Sequence, residues 1–210
     1  MSERILVIGN KNWSSWSLRP WLAMRVSDIP FREEHVELRQ PGTRAACLRH
    51  SPSGLVPVLK QDGRAIWDSL AILETLSEQF PDRQLWPDAA DARAHARSIS
   101  AEMHSGFQPL RQHLPMDCLG RYPGRGCDAD GVAANIDRVC AIWRECRAQA
   151  PVKGPFLFGH FTNADAMFAP VVSRFETYAV PVDTVCRDYM GAILALPAMA
   201  DWLGGCTPTG

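Results

Sequence analysis

Hydroxyl groups are concentrated directly after the first apolar run of this sequence. Residues 12–21 read Asn-Trp-Ser-Ser-Trp-Ser-Leu-Arg-Pro-Trp and contain three serines and three tryptophans. A serine hydroxyl and the free N–H groups of a helix N-terminus can together hold an anion, and the helix dipole favours the same charge. The alternative is an ordinary capped helix whose tryptophans lie in the core. The segment therefore contains a candidate hydroxyl for stabilising an anion.

A proline follows a valine at the beginning of a predicted strand, at Val56-Pro57. Because proline cannot donate a hydrogen bond to a strand ladder, it marks a sheet edge or a special peptide bond. A cis bond would turn the backbone of Val56 outward and leave its N–H and C=O free to pair with an extended ligand. The alternative is an edge-strand proline without a ligand. The two residues alone leave both alternatives open.

An aspartate and a serine, Asp68-Ser69, precede another predicted helix. Ser69 offers a hydroxyl and a helix N-terminal amide to a carboxylate, and Asp68 can contact an ammonium group. A ligand with an amino-acid-like end carries both groups. The pair taken alone is also typical of an ordinary helix N-cap.

These side chains require a small mixed sheet to position them. The pattern predicts strands over residues 4–9, 31–38, 54–60 and 64–67, with a hairpin turn at 62–63. It predicts helices from about 15–17 to 26 and from 69 to about 80. We expect a thioredoxin-like domain over residues 1–80, a linker over 81–87, and an all-helical domain over 88–210. Helices in that domain are predicted over residues 89–113, 130–148, 162–179, 183–196 and 198–203.

The composition is that of an ordinary globular protein of 210 residues, with 46% hydrophobic and 21% charged residues. The net charge of −1 means that the chain lacks the excess of positive charge that favours binding to nucleic acid or to an anionic membrane. No apolar run approaches the roughly 18 residues that span a bilayer, and the first run resembles a strand more than a signal peptide. The seven cysteines form no Cys-x-x-Cys pair, which favours free packed thiols over a metal site. We expect a cytoplasmic protein.

Taken together, these motifs resemble the glutathione transferase family. They are a hydroxyl after the first strand, a Val-Pro pair, Asp-Ser-x-Ala-Ile opening a helix, and an all-helical second half. The serines before Arg19, and the segment Ser-Gly-Phe-Gln-Pro-Leu at residues 105–110, are similar to the serine-type, zeta-like branch that includes maleylacetoacetate isomerases. Thr162 and Asp165 are similar to the buried capping box of the family's helical domain, where the expected role is folding.

The resemblance implies glutathione as co-substrate, a small electrophile as second substrate, no metal and a homodimer. With the resemblance we predict that the Val56–Pro57 bond is cis, because relatives use that bond to expose a backbone that pairs with the ligand. It implies that the Ser14 hydroxyl stabilises the glutathione thiolate, with Ser15 close enough to substitute. The implied glutathione-binding residues are Ser15, Gln40, Val56, Pro57, Asp68, Ser69 and Gln108, and the implied electrophile pocket consists of Trp13, Met103, His104 and Phe107. Many members carry lysine just before the valine, where this chain has Leu55, which predicts weaker glutathione binding.

We predict a glutathione transferase or isomerase with a role in detoxification. Conjugation, isomerisation, dehalogenation and peroxide reduction all use the same thiolate, so the sequence leaves the reaction open. The alternative is a non-catalytic binding member of the stringent starvation protein A type. The intact Ser14, Val56-Pro57 and Asp68-Ser69 favour the enzyme, because a protein that no longer uses glutathione has no need for them.

Overall fold

A computed structural model describes residues 3–207, in which four strands form one sheet. The strands are β1 (Arg4–Gly9), β2 (Arg32–Val36), β3 (Val58–Gln61) and β4 (Arg64–Trp67). The order across the sheet is β2-β1-β3-β4, with β2 parallel to β1 and the other two pairs antiparallel. The predicted strands and hairpin are therefore confirmed, although β2 and β3 are shorter than their apolar patterns.

The helices of the sheet domain are α1 (Ser15–Val26), α2 (Thr43–Leu48) and α3 (Ser69–Gln79), and a 3-10 turn follows at Pro81–Arg83. The sequence pattern does not predict α2. This helix has six residues and buries only Cys47, so it has no apolar periodicity that could reveal it. Helix α1 begins where predicted, but Pro20 lies inside it and not in its first turn.

The second half of the chain is helical. It contains α4 (Ala90–Ser105), α5 (Gln108–His113), α6 (Val132–Ala148), α7 (Asn163–Thr177), α8 (Thr184–Leu194) and α9 (Pro197–Gly204). The prediction of one continuous helix over residues 89–113 is wrong, because the chain breaks at Gly106 and Phe107. Phe107 has a left-handed φ of 59°, and Pro109 has no N–H to continue the helical ladder. The break turns α5 to a new direction.

The two domains share a continuous core. Ala23 of α1, Leu73 of α3, and Ala166 and Met167 of α7 are fully buried against one another. Within residues 3–207 no helix is long and apolar enough to cross a membrane, and no three acidic, histidine or cysteine side chains group as metal ligands. All seven cysteines have free thiols.

The predicted capping box opens α7. The Asp165 carboxylate accepts hydrogen bonds from the Thr162 N–H at 2.8 Å, the Thr162 hydroxyl at 3.0 Å and the Leu157 N–H at 3.0 Å. Burial raises the pKa of Asp165 to about 6, against the effect of these hydrogen bonds. One carboxylate thus joins the segment before α7 to the first turn of this central helix.

We expect Asp165→Ala to lower the free energy of unfolding by more than about 2 kcal/mol, because each buried N–H left unpaired costs about 1–3 kcal/mol. The matched control is Asp183→Ala at the N-cap of α8, where an aspartate that is 38% exposed accepts one backbone hydrogen bond and forms an exposed ion pair with Arg144. The control should lose about 1 kcal/mol. Urea unfolding measures both variants, and equal small losses would contradict a structural role for the buried box.

Candidate active site

A pocket of about 230 Å³ lies where the start of α1, the segment before β3 and the start of α3 meet. The Val56–Pro57 peptide bond at this pocket is cis, as predicted. Four of the predicted glutathione-binding residues therefore share one cavity. Its lining consists of Trp16, Ser53, Leu55, Val56, Pro57, Trp67, Asp68 and Ser69.

Asp68 has an unusual backbone conformation, with φ 77° and ψ 132°. Such a conformation costs a non-glycine residue about 1–3 kcal/mol and persists only where surrounding contacts hold it. Here one carboxylate oxygen, Oδ1, accepts the N–H groups of Leu70 at 2.9 Å and Ala71 at 3.3 Å. The other oxygen, Oδ2, lies 3.1 Å from Nε2 of His104 on α4. The helical domain therefore contacts a residue of the sheet-domain pocket.

Ser69 is 1% exposed, and its hydroxyl oxygen accepts a hydrogen bond from Nη1 of Arg19 at 3.3 Å. A serine hydroxyl has one hydrogen to donate and two lone pairs that accept. Because Arg19 occupies a lone pair, the hydrogen of Ser69 remains for an acceptor in the pocket. The contact with the buried guanidinium therefore leaves the Ser69 hydroxyl available as a hydrogen-bond donor.

The indole ring of Trp16 is contacted by two guanidinium groups and an imidazole. The Cζ atoms of Arg19 and Arg111 lie 4.2 and 4.7 Å from the ring centroid, and His104 meets the ring edge-on at 5.2 Å. Arg111 also donates hydrogen bonds to the carbonyl groups of Met103 and His104 in the last turn of α4. Arg111 therefore caps α4 across the helix break and supports a wall of the pocket.

Positive charge dominates this buried cluster. Burial and the proximity of Arg111 and Arg174 lower the pKa of Arg19, with Asp68 acting in the opposite direction. Burial also lowers the pKa of His104; Asp68 opposes this change, whereas Arg19 and Arg111 reinforce it. His104 is therefore neutral at neutral pH and donates its Nε2 hydrogen to Asp68.

The serines at the start of α1 form a short hydrogen-bonded chain. Ser14, the N-cap residue, is 5% exposed and donates its hydroxyl hydrogen to Ser17 Oγ at 2.7 Å. Ser17 Oγ also accepts the Gly9 N–H at 3.2 Å. Ser15 is half-buried, and among the described residues its hydroxyl has no comparable internal partner.

A second pocket of about 410 Å³ lies beside Trp13, close to Ser14 along the chain. Two arginines stack on its aromatic side chains: Arg39 lies 4.2 Å from the Trp13 centroid, and Arg125 lies 5.3 Å from the Tyr122 centroid. The other lining residues are Gln112, His113, Pro115, Met116, Asp117, Gly126 and Tyr178. Trp13 thus lines the second pocket and Trp16 lines the first, whereas neither Ser14 nor Ser15 is among the lining residues of the two pockets.

Two known domain families match this chain, one over each half of its fold. Residues 13–79 match the family described as glutathione S-transferase, N-terminal domain, and residues 64–205 match the family described as glutathione S-transferase, C-terminal domain. The chain belongs to the glutathione S-transferase family. The predicted resemblance and the predicted fold are both confirmed.

Several curated relatives of this glutathione S-transferase are isomerases. The chain is 37% identical to maleylacetoacetate isomerase of Rattus norvegicus over 88% of its length and 86% of that protein. It is 28% identical to maleylpyruvate isomerase of Ralstonia sp, and that alignment covers 88% of this chain and 93% of that protein. It is also 37% identical to a probable maleylacetoacetate isomerase of Caenorhabditis elegans. That alignment spans 51% of this chain and only 50% of the length of that protein.

Solved structures show the same fold. A maleyl pyruvate isomerase described as a bacterial zeta-class glutathione S-transferase superposes with a TM-score of 0.75 at 23% identity, over 98% of this chain and 99% of that one. A Burkholderia glutathione transferase homologue with bound glutathione superposes with a TM-score of 0.73 at 20% identity. The superposition covers 96% of this chain and 97% of that one.

The remaining predicted site residues of this glutathione S-transferase are not among the lining residues of the first pocket, although His104 contacts one of them. Gln40 is exposed in a groove beside β2, and Gln108 is exposed at the start of α5. Met103 and Phe107 are buried in the core. His104 contacts Asp68 on the first-pocket side, and Trp13 lines the second pocket.

No motif in the sequence points to Arg111. No spacing rule links a residue beyond a helix break to an indole about one hundred positions earlier in the chain. The available signal was a buried-face arginine on a short helix, which only the packing of α5 makes informative.

We expect Arg111→Met to raise the pKa of His104, because the substitution removes a cation that disfavours protonation while keeping an apolar stem on Trp16. Arg39→Met, in the second pocket, is the control and should leave this pKa unchanged. Titration of the His104 imidazole by NMR measures both. An unchanged or lowered pKa in Arg111→Met would contradict the electrostatic description of the cluster.

Proposed function

We propose that this protein binds glutathione in the first pocket and uses its thiolate to attack a small electrophile, as a transferase or an isomerase. The observation that carries the proposal is the convergence of Val56, Asp68 and Ser69 on one cavity at the start of α1 in a glutathione S-transferase. The names of the relatives favour isomerisation. By the family resemblance we further propose a cytoplasmic homodimer that works without a metal, in detoxification or in the breakdown of small molecules.

The two ends of glutathione match different parts of the pocket. The γ-glutamyl ammonium would pair with Asp68, and its carboxylate would accept hydrogen bonds from Ser69 at the N-terminus of α3. The cysteinyl backbone would pair with the main chain of Val56. This placement directs the sulfur toward the serines at the start of α1.

The Ser14 hydroxyl is proposed to stabilise the thiolate by donating a hydrogen bond to sulfur. A free thiol has a pKa of about 8.5, so little of it is ionised at neutral pH. Ser14 can turn its hydrogen from Ser17 to the sulfur, and Ser17 can then donate its own hydrogen to Ser14 across the same 2.7 Å contact. Gly9 holds Ser17 in place during this exchange. The half-buried Ser15 is the alternative donor.

The second pocket is proposed to hold the electrophile, since Trp13 directly precedes Ser14 in the chain. A thiolate can displace a leaving group there, or it can add to an activated double bond. Addition leaves a single bond that rotates, and elimination then regenerates the thiolate. The same two pockets therefore serve conjugation and cis–trans isomerisation.

Two assays with the purified protein test the proposed function. Calorimetry should detect glutathione binding, and a panel containing a chloronitrobenzene and a cis-unsaturated keto acid should reveal turnover that depends on glutathione. Binding without turnover of any electrophile would support a non-catalytic role, and absence of binding would contradict the proposal altogether.

We expect Ser14→Ala to raise the pKa of the bound thiol toward its free value of about 8.5. Each unit corresponds to about 1.4 kcal/mol of lost thiolate stabilisation. The dissociation constant should change little, because the hydroxyl acts on the thiolate and not on the peptide contacts. Turnover should fall most near neutral pH and recover as the pH rises. Ultraviolet titration of the thiolate in the glutathione complex measures the shift.

Ser15→Ala is the matched control for this assignment and should titrate like the wild type. If Ser15→Ala raises the pKa of the thiol while Ser14→Ala does not, the activating hydroxyl is Ser15.

We expect Leu55→Lys to tighten glutathione binding about two- to fivefold at low salt. Leu55 is 65% exposed at the rim of the pocket, and a lysine there could reach the glycyl carboxylate. An exposed ion pair is worth about 0.2–1 kcal/mol and is screened by salt. Leu55→Gln is the neutral control and should bind like the wild type. Calorimetry at two salt concentrations would contradict the idea if both variants behaved alike.

A further inference from the structure

His104 is a helical-domain residue that contacts the pocket of the sheet domain. Its Nε2 atom lies 3.1 Å from Asp68 Oδ2, and its ring packs edge-on against Trp16. We infer that His104 is a positioning residue that acts on Asp68 and makes glutathione binding weaken in mildly acidic solution. This inference rests on the proposed function, in which Asp68 receives the ammonium group of glutathione.

The two oxygens of Asp68 have different tasks. Oδ1 is occupied by the N–H groups of Leu70 and Ala71, which hold the start of α3. Oδ2 is the oxygen that remains for a ligand, and the Asp68 side chain is 42% exposed. His104 is therefore bound to the same oxygen that the ammonium group would use.

The surroundings of His104 oppose its protonation. The charged groups that face it are Arg19 of α1, Arg111 of α5 and Asp68 at the start of α3. Its Nδ1 atom is shielded from solvent and has no hydrogen-bond partner among the described residues, so a second N–H would have no acceptor there. Burial and the two arginines lower the pKa of His104, and the Asp68 carboxylate is the group that raises it.

Ligand binding and protonation of His104 therefore compete for Asp68. A neutral His104 donates one hydrogen bond and leaves the carboxylate charge available to an ammonium group. A protonated His104 neutralises that charge and repels the ammonium. By linkage, a bound ammonium must lower the pKa of His104 further, and binding in acidic solution must release a proton. Affinity should thus fall as the pH drops below the ordinary histidine value of about 6.5.

The experiment uses S-hexylglutathione, whose thioether cannot ionise, so that thiol titration does not contribute. Calorimetry between pH 7.5 and pH 5 should show wild-type affinity falling about three- to fivefold, the effect of one partly exposed charge. Proton release should appear at the acidic end in buffers with different ionisation enthalpies. His104→Gln keeps a donor for Asp68 but cannot titrate, and its affinity should change less than about twofold over the same range.

Three controls separate the possible causes. His160→Gln, far from the pocket, should keep the wild-type pH dependence. A ligand that lacks the α-amino group should bind more weakly and without pH dependence. NMR titration of the wild type should show the pKa of His104 falling when S-hexylglutathione is added, a test that does not depend on any variant folding.

The outcomes are distinguishable from those of the proposed function. If the wild type does not bind S-hexylglutathione at pH 7.5, the proposed function is contradicted. If the wild type binds but His104→Gln keeps the full pH dependence, or if the pKa of His104 does not move with ligand, the role of His104 alone is wrong.

Discussion

Helix α1 is buried along most of its length, and the rest of the structure depends on this constraint. Every residue from Ser17 to Met24 is buried, because β1 and α3 cover one part of the helix while α7 and α9 cover another. A helix without a free face cannot shift or rotate independently. The serines at its N-terminus and Trp16 in its first turn are consequently held in one place relative to both domains. The position of the candidate active site follows from this packing.

The same burial explains the unusual charge distribution of the site. Arg19 is enclosed with α1, and Arg111 and Arg174 lie close enough to influence its ionisation. The partners of Arg174 are neutral: it donates to the carbonyl groups of Leu114 at 2.9 Å and Pro170 at 3.1 Å. The Nε atoms of Arg19 and Arg111 are buried without a hydrogen-bond partner among the described residues. Indole faces and carbonyl oxygens stabilise the cations without removing their charge. The result is a cluster of positive charge beside the pocket, which suits the thiolate and the carboxylate of the proposed ligand.

The two domains of the protein contribute unequally to the site. The sheet domain supplies the groups proposed to bind glutathione, and its strained Asp68 is the clearest sign of a functional position. The helical domain supplies His104, which contacts Asp68, and Arg111, which stacks on Trp16. In the role inferred for His104, ligand binding by one domain is coupled to ionisation in the other through this direct contact with Asp68.

Local chemistry in the sequence determined the strands, most of the helices, the capping box at Asp165 and the Val56–Pro57 and Asp68–Ser69 pairs, because each depends on neighbours a few residues away. These motifs were also sufficient to indicate the family. Tertiary structure alone decided the place of Arg111 on Trp16 and the contact of His104 with Asp68. Those contacts join segments separated by tens of residues, and their geometry depends on how the domains pack around α1, which no local periodicity encodes.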